Sequence, residues 1–507
     1  MGLAALSLEP LVTLEEALAD NRRLKDENQL LHEELARQRK CVAKLGAYAA
    51  RLKAKLEVQQ HRLAQTSQNS SRPPSTDPPF RQRPAKKPPS GRRAGGQPGH
   101  RGTHRHVVPP ERVDEVRNYW PARCAECHAE LDDAADRGDD DPVCHQVIEV
   151  PPARARIIEH RQHARQCPCC RAVTRAALPP DVPQGAFGPH TEALVGHLTG
   201  SLHASKRTAA AAMQDLFGVP MSTGAVTACE AAVSTAVAGA VDQAQHFMER
   251  QPSANVDETS WRQGRKRAWL WVASTALVTV FLITVKRSRE ASYRLLGTFA
   301  GIMGSDRFSA YDDRDPQRRQ LCWAHLIRDF TAWSERGGAD GELGRTLLGL
   351  VRDQMFGWWH RVRDGTLTRV EFQACMEPLM AEVKRLLEGA ATGASKKIAA
   401  TSRFLLEVWP ALWTFVHVEG VEPTNNQAER SLRPGVLWRK RSFGTHSEAG
   451  SRFVERMMTV TTTLQQQNRP VLDFLVASLE AQRRGLSPPS LLPENYRAGV
   501  PREAIPC

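Results

Sequence analysis

The chain has 507 residues, 41% of them hydrophobic and 25% charged, a balance that excludes a wholly disordered or membrane-embedded chain and leaves room for about three globular domains. Lys and Arg number 69 against 56 Asp and Glu, a formal net charge of +13, which points to a polyanionic partner, of which nucleic acid is the commonest. Eleven Cys are too few for a disulfide scaffold in a chain of this length, and reduced thiols with a metal fit better.

The first nineteen residues carry Glu9, Glu15 and Glu16 and lack both a basic leader and an uninterrupted apolar core, so no secretory signal is expected. From Leu14 to Leu63 one seven-residue series reads Leu14, Asn21, Asn28, Leu35, Val42, Ala49, Leu56, Leu63. A second reads Ala17, Leu24, Leu31, Gln38, Leu45, Leu52. This predicts a coiled coil over residues 1–65, and Asn21 and Asn28, which can pair across two parallel helices, argue for a homodimer or higher oligomer in register. The alternative is a long helix packed on its own body.

Residues 66–112 change character, with Pro pairs and the cations Arg92, Arg93 and Arg101 among many others. No core forms from such a composition, and a flexible basic arm along DNA phosphates or a solvated linker is expected. Residues 113–182 hold Cys124-Ala-Glu-Cys127 and Cys167-Pro-Cys-Cys170, two thiolate pairs that can each supply half of a tetrahedral structural zinc site. Cys124, Cys127, Cys167 and Cys170 are the expected ligands, with Cys169 an alternative to Cys170 and with Cys144 and His145 as competitors. The segment between reads as a hairpin of Val147–Val150 and Ile157–His160 around Pro151-Pro152. Residues 183–250 are Ala-rich and helical, with helices over His190–Leu198 and Ala204–Phe217, a Gly218-Val-Pro220 turn, and Ser222 as N-cap of a further helix from Thr223. That is the outline of a helix-turn-helix DNA-binding region, although any small helical bundle makes such pairs.

Ala268–Val285 is the longest apolar stretch, but its Val, Thr and Trp content reads as buried sheet and no membrane association is expected. Asp257 is placed on the first strand of a three-stranded meander with Ala268–Ala273 and Ala276–Val285. Asp306 ends the run Gly301–Ser305, Leu321–Leu326 reads as another strand, and Glu429 falls in the first turns of a helix starting near Thr424 or Asn425. Carboxylates on two strands and a helix are what two hard cations need in phosphodiester cleavage, one activating the attacking oxygen and one stabilising the leaving oxygen. Spacing does not by itself show that these three converge. Trp261, Trp269 and Trp271 are read as sheet packing.

At these residues the chain resembles the transposases of the insertion sequence 66 family, of the DDE group. The likeness runs through Gly95-Gly-Gln-Pro-Gly-His100-Arg-Gly102, the CxxC module, Phe217-Gly218-Val219, Val256-Asp257-Glu258-Thr259 and Trp269-Leu-Trp271. It continues through Ser305-Asp306 with Tyr311, Cys322-Trp-Ala-His325, Asn425-Asn426 with Glu429-Arg430, Arg433-Pro434 and Arg439-Lys440. The resemblance implies a multi-domain α+β chain: coiled coil, zinc module, helical DNA-binding region and a ribonuclease H-like α/β catalytic core with a helical insertion. The core spans 251–335 and 416–462, the insertion 336–415, and a C-terminal helical segment and tail 463–507.

It also implies that Asp257, Asp306 and Glu429 hold two magnesium or manganese ions, with Glu258 and Glu448 as the nearest rivals. Cys322, His325, Asn425 and Asn426 are supporting residues, and Arg430, Arg433, Arg439 and Lys440 contact DNA. The expected partners are double-stranded DNA, both the element's terminal inverted repeats and the target, and small companion proteins of the same element. A cytoplasmic, nucleoid-associated bacterial location goes with it. The chain departs from the family pattern at Gln465-Gln-Gln-Asn468-Arg469-Pro470, which touches C-terminal docking rather than the acids. The other expectation is a catalytically inactive DNA-binding regulator derived from a transposase.

Overall fold

The computed structural model describes residues 14–64, 107–131, 144–179, 182–183 and 185–492. The chain forms two compact units, Met1–Arg81 with His325–Arg403 and Gln82–Ala324 with Phe404–Cys507. It is a mixed α and β chain, mostly helical. No single helix among the described residues is long and apolar enough to cross a membrane.

The second unit is built on a five-stranded mixed sheet of order β5-β4-β3-β6-β7, from β3 (Ser253–Gln263), β4 (Lys266–Ser274), β5 (Thr279–Thr284), β6 (Ile302–Ser305) and β7 (Arg319–Leu321). β3, β4 and β5 are the expected antiparallel meander. Gln263 pairs with Lys266, which leaves the two-residue turn Gly264-Arg265, and Gly264 supplies the φ of +58° that such a turn requires. After α6 (Arg289–Leu296) the chain crosses over so that β6 pairs parallel to β3, and β7 parallel to β6. The strand expected over Leu321–Leu326 is corrected: β7 ends at Leu321 and α7 (Trp323–Ser334) begins two residues later. Leu326, Phe330 and Trp333 are buried at helical spacing, so the apolar run has a period of about 3.6 rather than 2.

Edge strand β5 is closed by side chains of α14 (Glu448–Gln466). The Thr279 and Phe281 N–H groups donate to Thr463 Oγ1 and Thr459 Oγ1, both at 3.1 Å, and the Ile283 N–H donates to Glu455 Oε1. Two residues of strand rise ~6.8 Å and four of helix ~6 Å, so positions i, i+2, i+4 meet i, i+4, i+8. This satisfies edge groups that would otherwise be buried unpaired.

N-terminal to the sheet lie α2 (Pro189–Gly196), α3 (Lys206–Phe217), α4 (Thr223–Ala236) and α5 (Ala238–Glu249). Ser222 caps α4 as expected, accepting from the Ala225 N–H at 3.1 Å, and Gly218 ends α3 at φ +69°. Val195, Ala209, Met213, Val226 and Cys229 form their shared core. Near the cysteines the expected hairpin is corrected. Val147, Ile148, Val150, Ile157 and Ile158 are exposed and lie in no strand, whereas β1 (Ala164–Gln166) and β2 (Val173–Arg175) pair around Cys167–Cys170. Pro151 and Pro152 bring no donors to a ladder, and no neighbour among the described residues buries this apolar run.

The first unit contains α1 (Leu14–Ala64), a single helix of 51 residues whose Leu24, Leu31, Leu35, Val42, Leu45 and Leu52 are exposed. It also contains α8 (Gly338–Leu348), α9 (Phe356–Arg363), α10 (Arg369–Gly393) and most of α11 (Lys396–Glu407), and α12 (Pro410–His417) follows in the second unit. Leu347, Val351, Met355, Trp359, Phe372 and Met376 are buried there. Thr368 and Glu371 close a reciprocal capping box at the start of α10.

Candidate active site

Asn255 of β3 pairs in parallel register with Gly304 of β6. Two residues beyond that pair the chain reaches Asp257 within β3 and Asp306 just past the end of β6, near enough for the Asp306 charge to act on the Asp257 carboxyl. Gly304 lets the strands approach, since a Cβ there would lie 2.2 Å from Asn255 Oδ1. Asp257 Oδ1 accepts from the Glu258 N–H and Asp306 Oδ1 from the Phe308 N–H, each at 2.9 Å. Burial pushes the Asp257 carboxyl well above its usual range, and the charges of Glu258, Asp306 and Glu429 push it in the same direction.

Glu429 sits in the first turn of α13 (Asn426–Ser442), with Asn425 as N-cap residue. Asn425 is fully buried, donates from Nδ2 to the Val256 carbonyl of β3 at 3.2 Å and accepts on its own carbonyl from the Glu429 N–H at 3.2 Å. Its backbone N–H donates to Cys322 Sγ at 3.4 Å, and its buried Oδ1 has no hydrogen-bond partner among the described residues. Gln427 donates to the Thr275 carbonyl at 2.7 Å, and Gly435 lies so close to the sheet that a Cβ would meet Leu270 at 2.5 Å. Those anchors hold the helix start against Val256 of β3, the residue before Asp257. Cys322 Sγ and a Glu429 carboxylate oxygen lie within 4.8 Å of each other, and His325 follows Cys322 by one turn, where the chain enters the other unit. Asn426 is exposed.

Glu258 is the immediate neighbour of Asp257, but strand alternation turns it to the opposite face. There it accepts from Tyr311 Oη at 2.6 Å and from Arg287 Nε at 3.0 Å, with a second Arg287 contact through Nη2. Burial raises its carboxyl above the usual range and the Asp306 charge adds to this, while the tyrosine and arginine bonds oppose the rise. The Arg287 guanidinium lies over the Phe308 ring at 3.6 Å. Buried Arg319 donates to the Asp306 carbonyl at 2.8 Å, the Ser305 hydroxyl at 3.1 Å and the Tyr311 carbonyl at 3.1 Å, fixing the turn that carries Asp306. Arg287, Arg319 and this use of Tyr311 were not found by sequence reasoning. The signal available was the alternation itself, which places two consecutive acids on opposite faces. Glu448, the other rival, is exposed in the first turn of α14.

Among the cations, Arg430, Arg433 and Lys440 are exposed on α13, opposite its buried Ala428, Leu432, Gly435 and Trp438. Arg439 instead turns inward, donating to Ser260 Oγ at 2.5 Å and Thr259 Oγ1 at 3.3 Å on β3. Arg92, Arg93 and Arg101 lie outside the described residues.

The two CxxC segments repeat one backbone design. Cys124 N donates to Ala129 O at 2.9 Å and His128 N to Cys124 O at 3.1 Å; Cys167 N donates to Ala172 O at 2.8 Å and Arg171 N to Cys167 O at 2.9 Å. His128 and Arg171 share a φ near +57° to +58°. The backbone N–H of Cys127, then that of Glu126, holds the Cys124 thiol below its usual range, and those of Cys170 and Cys169 do the same for Cys167. In this correspondence Cys170 matches Cys127 and Cys169 matches Glu126. Among the described residues the two pairs are not gathered into one cluster of ligands.

A family model described as transposase IS66 family matches residues 185–453, and one for a family of unknown function matches residues 14–106. An uncharacterized protein, y4qI, of Sinorhizobium fredii (strain NBRC 101917 / NGR234) is 25% identical over 260 residues, which cover 46% of this chain and 47% of that protein. The chain thus spans about half the length of this curated relative.

Proposed function

We propose that this chain, which belongs to the IS66 family of transposases, is a DDE transposase with a ribonuclease H-like core that cuts DNA at its element's terminal inverted repeats and joins the freed ends to target DNA. The observation that supports the reading is that Asp306 and Glu429 are both near enough for their charges to raise the Asp257 carboxyl, with β3 and β6 paired in parallel two residues before the two aspartates. Crowded carboxylates supply the oxygen donors that hard cations take. Two magnesium or manganese ions held there would activate the attacking oxygen and stabilise the leaving one.

The chain's residues have separate tasks. Asp257, Asp306 and Glu429 present the oxygen donors, and Asn425 fixes the helix start that carries Glu429. A water oxygen attacks the scissile phosphorus and releases a 3′ hydroxyl; that hydroxyl then attacks a target phosphodiester, so no serine or tyrosine nucleophile is required. Exposed Arg430, Arg433 and Lys440 extend along α13 to take the flanking phosphates. Arg92, Arg93 and Arg101 would add contacts from the basic segment. The matched CxxC knuckles favour Cys124, Cys127, Cys167 and Cys170 as structural zinc ligands; Cys322, whose sulfur accepts from the Asn425 N–H, and His325 are supporting residues. The exposed leucine seam of α1 supports pairing with a second copy, so that two protomers hold two ends. Companion proteins of the element complete the proposed assembly.

The test is a labelled duplex carrying the inverted repeat that brackets this reading frame, incubated with magnesium or chelator beside Asp257→Asn and Glu429→Gln. Metal-dependent nicking absent in both variants is expected. Nicking that survives both substitutions would overturn the assignment, and tight binding without nicking, even with companions added, would favour the regulator.

A further inference from the structure

Phe443, the residue that ends α13, is 75% exposed and sits at φ +60°, a conformation that a bulky L-residue adopts only when its surroundings impose it. Those surroundings are a latch onto the β3–β4 turn. Thr445 N donates to the Arg262 carbonyl at 2.9 Å, Gly264 N returns a bond to the Thr445 carbonyl at 2.7 Å, and Trp261 Nε1 donates to Thr445 Oγ1 at 3.2 Å. Between them Gly444, at φ +103°, lies so close to Arg262 that a Cβ would come 2.4 Å from its carbonyl oxygen. The ring is therefore presented to solvent from a backbone fixed on both sides.

The charged residues of the turn and of the helix end have one sign. Arg262, Arg265, Lys266 and Arg267 on the turn, and Lys440 and Arg441 on the helix end, are all exposed, and neither 260–267 nor 439–447 contains an acid. A protein-binding surface is depleted of charge at its centre, whereas one apolar side chain ringed by cations suits a duplex, which offers phosphates outside and base faces within.

The latch also lies at a definite distance from the acids. Glu429 to Phe443 is fourteen helical residues, or ~21 Å, and Asp257 to Gly264 is seven strand residues, or ~23 Å. Both elements run away from the carboxylates and meet at this loop. At ~3.4 Å per base-pair step the separation is about six base pairs.

Resting on the transposase reading, we propose that Phe443 is a wedge that enters a base step of the bound DNA end about six base pairs from the phosphodiester held at Asp257, Asp306 and Glu429, with the surrounding cations on the adjacent phosphates. The full chain is bound to the same inverted-repeat duplex with calcium in place of magnesium, and 2-aminopurine is moved through successive positions. Wild type and Phe443→Trp are expected to raise the fluorescence several-fold at one position about five to seven base pairs from the cut. Phe443→Gly, which relieves the backbone rather than straining it, is expected to bind the repeat yet lose that signal. A bound wild-type complex with no unstacked position, or the same signal in Phe443→Gly, would overturn the wedge and leave the transposase reading standing. Failure of the wild type to prefer the repeat over unrelated DNA would remove both.

Discussion

Replacing Glu455 by Gln should stabilise the sheet edge at pH 8 and do little at pH 5. Glu455 is 4% exposed, caps the Ile283 N–H of β5 and pairs with Arg452 at 2.7 Å. Burial raises its carboxyl from 4.5 to about 7, against the opposing pull of Arg452 and the Ile283 N–H. The folded state therefore prefers the protonated acid. Below about 4.5 both states are protonated and nothing is lost, while stability falls as pH rises from there to about 7, because the fold must then hold a charged carboxylate that the unfolded chain solvates. The full loss at pH 8 is about 3 kcal/mol. Gln keeps an oxygen for the Ile283 N–H and stands in for the protonated acid, and because the value of about 7 already includes the pull of Arg452, the net gain at pH 8 is about 3 kcal/mol. Pulse-labelling hydrogen exchange across a urea series, read on peptides from β5 and α14, gives a midpoint for this element without assuming that the whole chain unfolds in one step. A Gln variant no more stable than wild type at pH 8, or a difference that is the same at pH 5 and pH 8, would refute the reasoning.

Thr459→Val removes the acceptor of the Phe281 N–H at nearly constant volume and should cost about 1–3 kcal/mol, seen as earlier exchange in the same peptides. Elemental analysis of purified protein should find zinc retained in Cys169→Ser and lost in Cys170→Ser; the reverse would reassign the second knuckle. Salt titrations of repeat binding should show a slope reduced by about one for Lys440→Ala. They should show an unchanged slope for Arg439→Ala, whose side chain is tied to Ser260 and Thr259.

The parts of this chain that were legible in its sequence are those where local chemistry and tertiary structure agree. Ser222 reads as an N-cap and is one, Gly264 marks the tight turn, and the Val-rich and Thr-rich runs form β4 and β5. Errors came where one apolar run fits two periods, as at Leu321–Leu326, and where apolar alternation exists without a partner, as at Val147–His160. The placement of Glu429 in the first turn of a helix could be read from Asn425 and Asn426. Its nearness to Asp257 could not, because that depends on Gly435 seating α13 against Leu270, a contact between residues far apart in the chain. The inward turn of Arg439 is illegible for the same reason: Arg430, Arg433 and Lys440 are the same kind of residue on the same helix, and only the position of β3 separates them. The pairing of α1 with a second copy rests on its heptads and exposed leucines alone.

β3 explains why two consecutive acids do different work. Alternation sends Glu258 to the face where Arg287 and Tyr311 meet it, so its charge is answered within the fold. Asp257 goes to the other face, where burial raises its carboxyl and the charges of Glu258, Asp306 and Glu429 raise it further. Arg319 serves the neighbouring acid. It holds the turn of Asp306 through backbone carbonyls and the Ser305 hydroxyl, which fixes the position of that acid without bonding to its carboxylate. On the proposed reading, the substitution of Glu258 should therefore loosen the site mechanically, whereas that of Asp257 removes a donor. Glu258→Gln is expected to keep metal-dependent nicking at a reduced rate under conditions where Asp257→Asn shows none.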